Sequence, residues 1–170
     1  SAWVKPESFG QQQIAGIAGQ DFDPTNSSWS FSLHGTVTGE TNNNTLCFND
    51  GTKEACSTNN LITLNEWQHV AVTQSASAIR FYKNGAFISE DSGTHSLNQT
   101  STTRYRIFST GRNPSHNFNG SIDEFMIFNK TLSDTDVQTI FNNQTNRLYP
   151  TGKQTFQALN ISQNGTFNTA

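Results

Sequence analysis

The sequence predicts an all-β domain built from two packed antiparallel sheets. Short runs rich in Val, Ile, Phe, Trp and Thr recur from residue 2 to about 128, and clusters of Gly, Asn, Asp and Ser separate them. The 170 residues suffice for one domain with a sizeable core and are too few for two ordinary ones. Only 14% of the residues are charged and the net charge is −3, which does not suit a nucleic-acid-binding protein. No run of about 18 apolar residues predicts a membrane span.

Ten strands are predicted in order along the chain. They cover residues 2–5, 13–17, 29–34, 46–48, 55–57, 67–73, 79–83, 86–89, 104–109 and 122–128. The clearest turn between them is Asn84-Gly85, which supplies the two positive φ angles of a type I′ hairpin. This turn pairs Phe81 with Ile88 on the face that we expect to be core, while Tyr82 lies on the other face.

The segment CFNDGTKEAC places Cys47 and Cys56 at the two ends of a second predicted hairpin. Its register pairs Phe48 with Ala55 across a four-residue loop and brings the two sulfurs within disulfide reach. A disulfide there would stiffen the hairpin modestly and would indicate an oxidising compartment. Two free buried thiols are the alternative.

The segment EWQHVAVTQ reads as a central strand. Alternation puts Trp67, His69 and Ala71 on one side and Val70 and Val72 on the other, so both faces are covered. We therefore interpret His69 as a core histidine rather than as a ligand or a catalytic group.

One short helix follows the strands. Ser133 is a candidate N-cap with Asp136 three residues later, and Val137, Ile140 and Phe141 are spaced for one helical face of about two turns. We place the sandwich domain at residues 1–142. Residues 143–170 are predicted to be a tail with strand-like pieces at 155–161 and 166–169, which is a linker or the start of a further module.

Eight Asn-x-Ser/Thr sequons occur in the sequence. They lie at Asn26, Asn43, Asn98, Asn119, Asn129, Asn143, Asn160 and Asn164. The functional interpretation is a glycosylated extracellular surface, and the alternative is an Asn- and Thr-rich surface with accidental sequons. Because the chain begins at Ser1 without a Met, we also expect a processed or excised product of a secreted protein.

Four ordered blocks carry a family resemblance: SAWVKP, LNEWQHVAVT, IRFYKNGAFIS and FNGSIDEFMIFNKTLSDTDVQTIF. Together, over residues 2–142, they resemble the laminin-G-like domains of the concanavalin A-like lectin/glucanase superfamily, in the subgroup found in microbial surface proteins. The resemblance implies an antiparallel jelly-roll β-sandwich with one short C-terminal helix. It implies little about the ligand, because this fold hosts lectins, adhesion modules, enzyme appendages and glycosidases.

Two departures from the family pattern motivate an assembly hypothesis. Family members usually carry another strand before the block that looks like SAWVKP, and they commonly end near the helix. A sandwich without that strand exposes backbone and core, so we expect a tail strand, a neighbouring subunit or an excised segment to complete the sheet. The chain would then act as a filament or surface-layer subunit.

The acidic pair Asp123 and Glu124 is the candidate for catalysis by paired carboxylates, and its spacing argues against that role. Glycosidases of this superfamily that use two carboxylates hold them on one face of a strand, whereas adjacent residues point to opposite faces. Neither residue has an acidic neighbour two or four positions away. We predict that the domain is not an enzyme and assign no catalytic residue.

Asp123 is the candidate metal ligand. The resemblance suggests that the Asp of GSIDE binds a structural Ca²⁺ or satisfies backbone groups, and Ca²⁺ takes such carboxylates together with carbonyl oxygens. Asp21 and Asp23 are better explained by an Asp-Pro turn, since the segment lacks the Gly and the later Glu of an EF-hand loop.

Two functions therefore stay open for a non-catalytic extracellular module. The first is adhesion or assembly, with the chain itself or other surface proteins as partners. The second is carbohydrate binding, in which Trp29, Tyr82 and Phe87 would be stacking platforms unless they are core. We predict no specific ligand-binding residue, no nucleic-acid partner and no membrane span.

Overall fold

The computed structural model describes residues 1–9, 13–20, 29–36, 44–96, 104–110, 116–148, 160–161 and 167–168. In chain order the elements are β1 (Ala2–Ser8), β2 (Ile14–Gln20), β3 (Ser30–His34), β4 (Thr45–Asn49), β5 (Glu54–Cys56), β6 (Gln68–Gln74), β7 (Ala78–Lys83), β8 (Ala86–Ser92), β9 (Tyr105–Ile107), β10 (Asn119–Asp123), α1 (Asp134–Leu148), β11 (Asn160–Ile161) and β12 (Phe167–Asn168). No helix in these ranges is long and apolar enough to cross a membrane.

Two five-stranded antiparallel sheets form the predicted sandwich. Sheet A has the strand order β10-β1-β6-β7-β8, and sheet B has the order β5-β4-β3-β2-β9. In sheet A, β1 is an interior strand because it pairs with β10 on one side and with β6 on the other. Among the described residues, the short strands β11 and β12 pair with each other, through Asn160 with Asn168 and Ile161 with Phe167.

The main core lies between the two sheets. Sheet A contributes side chains such as Val4, Val70 and Phe81, and sheet B contributes side chains such as Leu33 and Leu46, all completely buried. These residues alternate with outward-facing ones along each strand, as expected for sheets that pack face to face.

Both predicted hairpins are present. The Asn84-Gly85 turn has φ angles of 50° and 77°, which fit a type I′ turn. The register of β7 and β8 shifts at Phe81, which pairs with Ser89 and not with Ile88, because a bulge adds one residue to β8. The prediction for that pair was wrong, although Ile88 still packs against the core cluster that contains Phe81.

The helix α1 covers the outer face of sheet A and is longer than predicted. It runs for 15 residues, past the expected domain boundary at residue 142. Ser133 is its N-cap: the Asp136 N–H donates to Ser133 Oγ over 3.2 Å, and the Ser133 N–H donates to Asp136 Oδ2 over 2.9 Å. Arg80 Nη1 and the Tyr82 hydroxyl both bind Asp134 Oδ1, at 2.6 and 2.8 Å, and fix the start of the helix on the sheet.

The strand before the helix was misplaced. The expected strand 122–128 is β10, which begins three residues earlier and ends at Asp123. Glu124 has a φ of 49°, which strand geometry does not allow, so the chain leaves the sheet at that point. The apolar residues Ile127 and Phe128 beyond it are 67% and 39% exposed, which explains why an apolar run alone misled the prediction.

Candidate functional site

The outer side of sheet B is polar. In β3, Phe31 and Leu33 are buried in the core, so Ser32 and His34 lie on the opposite face of the sheet. Cys47 pairs directly with Ser32 and therefore lies on that same outer face. We call this surface the polar face. It comprises Ser32, His34, Cys47, Glu54, Cys56, Arg106 and His116.

Side chains of two strands, β3 and β5, meet on the polar face. Ser32 Oγ lies 3.1 Å from His34 Nε2, and His34 Nε2 lies 3.6 Å from Glu54 Oε1. Ser32 is buried and His34 is half-buried, whereas Glu54 is exposed at the edge of the sheet. The geometry therefore gives a sheltered hydroxyl and imidazole beside an accessible carboxylate, all on rigid strands.

The predicted Cys47–Cys56 pairing is present as a disulfide, with an S–S distance of 2.04 Å. It joins β4 to β5 in the register expected from the sequence. Asp50 lies in the loop between β4 and β5 and accepts hydrogen bonds from its neighbours. Burial alone would raise the pKa of Asp50, but hydrogen bonds from Thr52, Lys53 and His95 outweigh burial and hold the pKa below its usual value.

The segment around His116 borders the polar face. It crosses β2 at Gly16, where an added Cβ would lie 2.7 Å from the His116 carbonyl oxygen, so only glycine permits the approach. Thr110 Oγ1 lies 3.4 Å from His116 Nδ1. Burial lowers the pKa of His116 and the nearby Glu54 carboxylate opposes that shift, so the imidazole belongs to the same electrostatic environment as the polar face.

One group of potential metal ligands occurs within the described ranges: His34, Cys47, Glu54 and Cys56, whose ligand atoms all lie within 4.8 Å of one another. With the disulfide formed, the two sulfurs are not thiolates and do not bind a metal. The remaining imidazole and carboxylate do not match the all-oxygen set that Ca²⁺ prefers.

Asp123, the predicted calcium ligand, lies outside that group. It is exposed at the end of β10 and accepts the Glu124 N–H over 2.7 Å. Glu124 Oε2 lies 3.5 Å from Gln144 Nε2 of α1. The two carboxylates thus have separate neighbours, and a calcium ion at Asp123 stays a prediction.

Three predicted sequons can be located with their surroundings. Asn119, Asn129 and Asn143 are all exposed. Asn119 is the first residue of β10, and its Nδ2 donates to Ser8 Oγ over 2.9 Å. Asn160 lies in β11. Asn26, Asn43, Asn98 and Asn164 lie outside the described residues, as do Asp21 and Asp23.

The aromatic candidates belong mainly to the core. Trp29 is 8% exposed and Tyr82 is fully buried, which confirms the core alternative for both. Phe87 is 43% exposed, but the Arg80 guanidinium lies over its ring at 4.4 Å. His69 is also fully buried, as predicted, and burial lowers its pKa to about 4.

A cleft of about 900 Å³ opens at one end of the sandwich. It runs from Ser1 along residues 71–76 of β6 and the turn that follows, and residues 125–132 form its other side. None of the polar-face residues lines it. We call it the end cleft.

The prediction from sequence missed the polar face. The signal was present in β3, where Ser30, Ser32 and His34 alternate with two apolar residues. Such alternation marks a half-exposed strand, but it does not say that the exposed half is free of a covering helix.

These elements define a jelly-roll β-sandwich of two antiparallel sheets with one C-terminal helix. The sequence profile of the Laminin_G_3 family, in the concanavalin A-like lectin/glucanases superfamily, matches residues 1–138, and the chain belongs to this family. No curated protein sequence matches the chain.

Three solved structures of two proteins share the fold. The CBM40 domain of the IT-sialidase of Ruminococcus gnavus has a TM-score of 0.62 at 11% identity, over 82% of this chain and 80% of that chain. The same domain bound to α2,3-sialyllactose has a TM-score of 0.60 at 11% identity, over 82% and 79%. Domain 4 of AbnA, a GH43 extracellular arabinanase of Geobacillus stearothermophilus in complex with arabinotriose, has a TM-score of 0.59 at 21% identity, over 82% and 63%.

Proposed function

We propose that the domain is a non-catalytic carbohydrate-binding module of a larger extracellular or cell-surface protein, and that it binds glycans on the polar face. The observation that carries the proposal is the pair of hydrogen-bonding groups that reach the surface there, the His34 imidazole and the Glu54 carboxylate, with the buried Ser32 hydroxyl bonded to the imidazole. Sugar ligands present many hydroxyl groups, each of which donates and accepts, so a face with both kinds of group is chemically suited to them.

Rigidity supports the same proposal. The groups stand on paired strands, and the disulfide fixes the hairpin at the edge of the face. A preformed set of polar groups loses little conformational freedom on binding, which favours affinity for small polar ligands. The solved relatives that bind sialyllactose and arabinotriose agree with this function at the level of fold alone.

The test is glycan binding by a matched set of variants. A glycan array that includes α2,3-sialyllactose and arabinotriose identifies a ligand, and calorimetry then measures its Kd for the unmodified protein, Ser32→Ala, His34→Ala and Asn142→Ala. We expect His34→Ala to weaken binding about tenfold or more, which corresponds to about 1.4 kcal/mol. Ser32→Ala should weaken binding less, because the buried hydroxyl acts only through the His34 imidazole. Asn142 is exposed on α1 and its variant should bind normally. The proposal is contradicted if no glycan on the array binds, or if all four proteins have equal Kd values.

The calcium site and the N-glycosylation expected from the sequence are part of the same proposal. Calcium at Asp123 is tested by repeating the titration with a chelator and with Asp123→Asn, and a Kd that neither treatment changes rules calcium out of glycan binding. The exposed sequons Asn119, Asn129 and Asn143 are the sites at which we propose N-glycosylation. Peptide mass mapping of the secreted protein before and after enzymatic deglycosylation detects it, and unshifted masses contradict it.

A further inference from the structure

Four side chains of the polar face converge above one point of β4. His34 on β3 is paired two positions before Cys47, and Glu54 on β5 is paired two positions beyond it. These two pairing positions are four residues apart, which is about 13 Å of strand. His34 Nε2 nevertheless lies 3.6 Å from Glu54 Oε1. Both side chains therefore extend along the face towards the Cys47–Cys56 pair that lies between them.

The ligand atoms of these four residues have the spacing of a four-coordinate metal site. A nitrogen of His34, a carboxylate oxygen of Glu54 and the two sulfurs all lie within 4.8 Å of one another. A tetrahedral Zn²⁺ with bonds of about 2.0–2.3 Å holds its ligand atoms about 3.3–3.8 Å apart. The imidazole and the carboxylate already have such a separation. Two sulfurs that are no longer bonded to each other reach it by rotation about their Cα–Cβ bonds.

The hairpin holds the two cysteines opposite each other independently of the disulfide. Main-chain hydrogen bonds lie on both sides of the cysteine pair. On one side, the Ser57 N–H donates to the Leu46 carbonyl over 2.8 Å, and on the other, the Asp50 N–H donates to the Lys53 carbonyl over 3.1 Å. The ladder between β4 and β5 lies between these two bonds. The two thiols of the reduced protein therefore stay next to each other, beneath the imidazole and the carboxylate.

Two hydroxyl groups beside Cys47 suit a thiolate at that position. Thr45 Oγ1 lies 3.4 Å from Cys47 Sγ, and Ser32 is the residue directly opposite Cys47 on β3. A hydroxyl that donates to a thiolate stabilises its charged form, and such donors around metal ligands raise metal affinity. The Ser32 hydroxyl lies 3.1 Å from His34 Nε2, so a metal bound to that nitrogen would release it for the sulfur.

The disulfide is reached from the edge of sheet B. Cys47 is completely buried, whereas Cys56 is half-buried on the edge strand β5. The Glu54 side chain beside it is 39% exposed. A reductant and a metal ion therefore both approach past Glu54, and Cys56 is the sulfur open to attack.

We propose that the polar face contains a redox-dependent Zn²⁺ site, which Cys47, Cys56, His34 and Glu54 form when the disulfide is reduced. Two thiolates, one imidazole and one carboxylate are ligands that Zn²⁺ takes in closed tetrahedral sites. The hard cations Ca²⁺ and Mg²⁺ prefer oxygen ligands and do not suit this set. The disulfide and the zinc site exclude each other, because both use the same two sulfurs.

The exchange between the two states balances with a dithiol as the reductant. One thiolate of the dithiol attacks Cys56 Sγ and breaks the bond to Cys47 Sγ, and its second thiolate then displaces Cys56 Sγ. The dithiol leaves as a cyclic disulfide, and both cysteines become thiols. Zn²⁺ then forms two Zn–S bonds and releases the two thiol protons to solvent. Oxidation of the two thiolates by a disulfide reagent restores the Cys47–Cys56 bond and releases the metal.

The test measures metal binding by the oxidised protein and by protein reduced with excess dithiol, which is then removed in the absence of oxygen. Competition with a chromophoric chelator gives the Kd for Zn²⁺. The reduced protein should bind one Zn²⁺ per chain about 100-fold or more tightly than the oxidised protein. Co²⁺ in place of Zn²⁺ should give a thiolate-to-metal charge-transfer band and the visible bands of tetrahedral cobalt.

Variants of the reduced protein test the four ligands. His34→Ala and Glu54→Gln should each weaken zinc binding about tenfold or more, because each removes one of four ligands. The double variant Cys47→Ser, Cys56→Ser should bind no more tightly than the oxidised protein. Glu66→Gln is the matched control, since Glu66 is exposed outside the polar face, and its affinity should be unchanged. Near-UV circular dichroism follows folding in every sample.

Tight binding by the folded, reduced protein that is lost in His34→Ala and kept in Glu66→Gln supports the site. Equal Kd values for the oxidised and reduced proteins overturn it. Equal Kd values for His34→Ala, Glu54→Gln and the unmodified reduced protein also overturn it, because the two thiolates alone would then hold the metal. A reduced protein that stays unfolded with Zn²⁺ overturns it as well. The site shares His34 and Glu54 with the proposed glycan-binding function, but zinc binding is measured without a glycan, so each proposal fails separately.

Discussion

The outer faces of the two sheets carry different kinds of side chain. On sheet A, Trp3, His69 and Tyr82 point outward and are buried beneath α1. On sheet B, Ser32 and His34 point outward in the polar face. A covering helix demands apolar or fully packed side chains, whereas a face without one can hold polar groups for a ligand. In this module, α1 covers the outer face of sheet A, and the outer face of sheet B holds the polar face.

The largest expected effect comes from Trp3→Ala on the covered face. Trp3 is 2% exposed, its ring stacks 5.6 Å from Phe141, and its Nε1 donates to Gln144 over 3.0 Å. Removing the indole leaves a cavity and two unsupported partners, so the free energy of unfolding should fall by about 3–5 kcal/mol. His34→Ala on the polar face should cost less than about 1 kcal/mol. Urea denaturation measures the free energy of unfolding of both variants. Equal losses would contradict the expected difference between the two faces.

A smaller effect is expected from pH on the same covered face. Burial lowers the pKa of His69 to about 4, against about 6.5 in the unfolded chain. The unfolded state therefore binds the proton first as the pH falls, and stability contributed by the neutral imidazole is lost between pH 6.5 and pH 4. The loss attributable to His69 should reach about 2–3 kcal/mol.

Comparison with His69→Gln isolates that contribution. Denaturation midpoints are measured for both proteins at several pH values from 7.5 to 4. The difference between the two curves should grow as the pH falls through this window. Parallel curves would mean that His69 is accessible to protons in the folded state.

The smallest effect concerns the segment that borders the polar face. Gly16→Ala places a Cβ 2.7 Å from the His116 carbonyl oxygen, and that backbone must shift. We expect a loss of about 2 kcal/mol in unfolding free energy. Gly19→Ala on the same strand meets the Trp29 carbonyl at 3.1 Å and should lose less. If thermal melts show a larger loss of stability for Gly19→Ala than for Gly16→Ala, the close approach at Gly16 does not constrain the segment around His116.

Local patterns made much of the fold predictable. The Asn84-Gly85 turn, the cysteine spacing and the Ser133 cap each fix a structure within a few residues, and each is present as expected. The bulge at Phe81 and the early end of β10 at Asp123 were not predictable, because they depend on packing between distant elements and on a positive φ at Glu124, a residue type that seldom adopts one.

The candidate site was harder to predict than the fold. Alternation reveals that Ser32 and His34 share a face, but only the three-strand order places Glu54 beside them. Likewise, nothing local indicates that α1 covers sheet A and not sheet B. Which outer face the helix covers is a property of topology, and no single segment of the sequence indicates it.

The pairing of β1 with β10 also constrains how the domain is made. Trp3 pairs with Asp123 and donates to Gln144, a contact across 141 positions of sequence. During synthesis, the first strand must therefore wait until the chain has been translated to the end of α1 before sheet A can close. Contacts of such long range are typical of domains that fold slowly, in milliseconds to seconds. Until that moment the apolar side chains of β1 and β6 lack their final packing, and apolar surface exposed in this way favours aggregation.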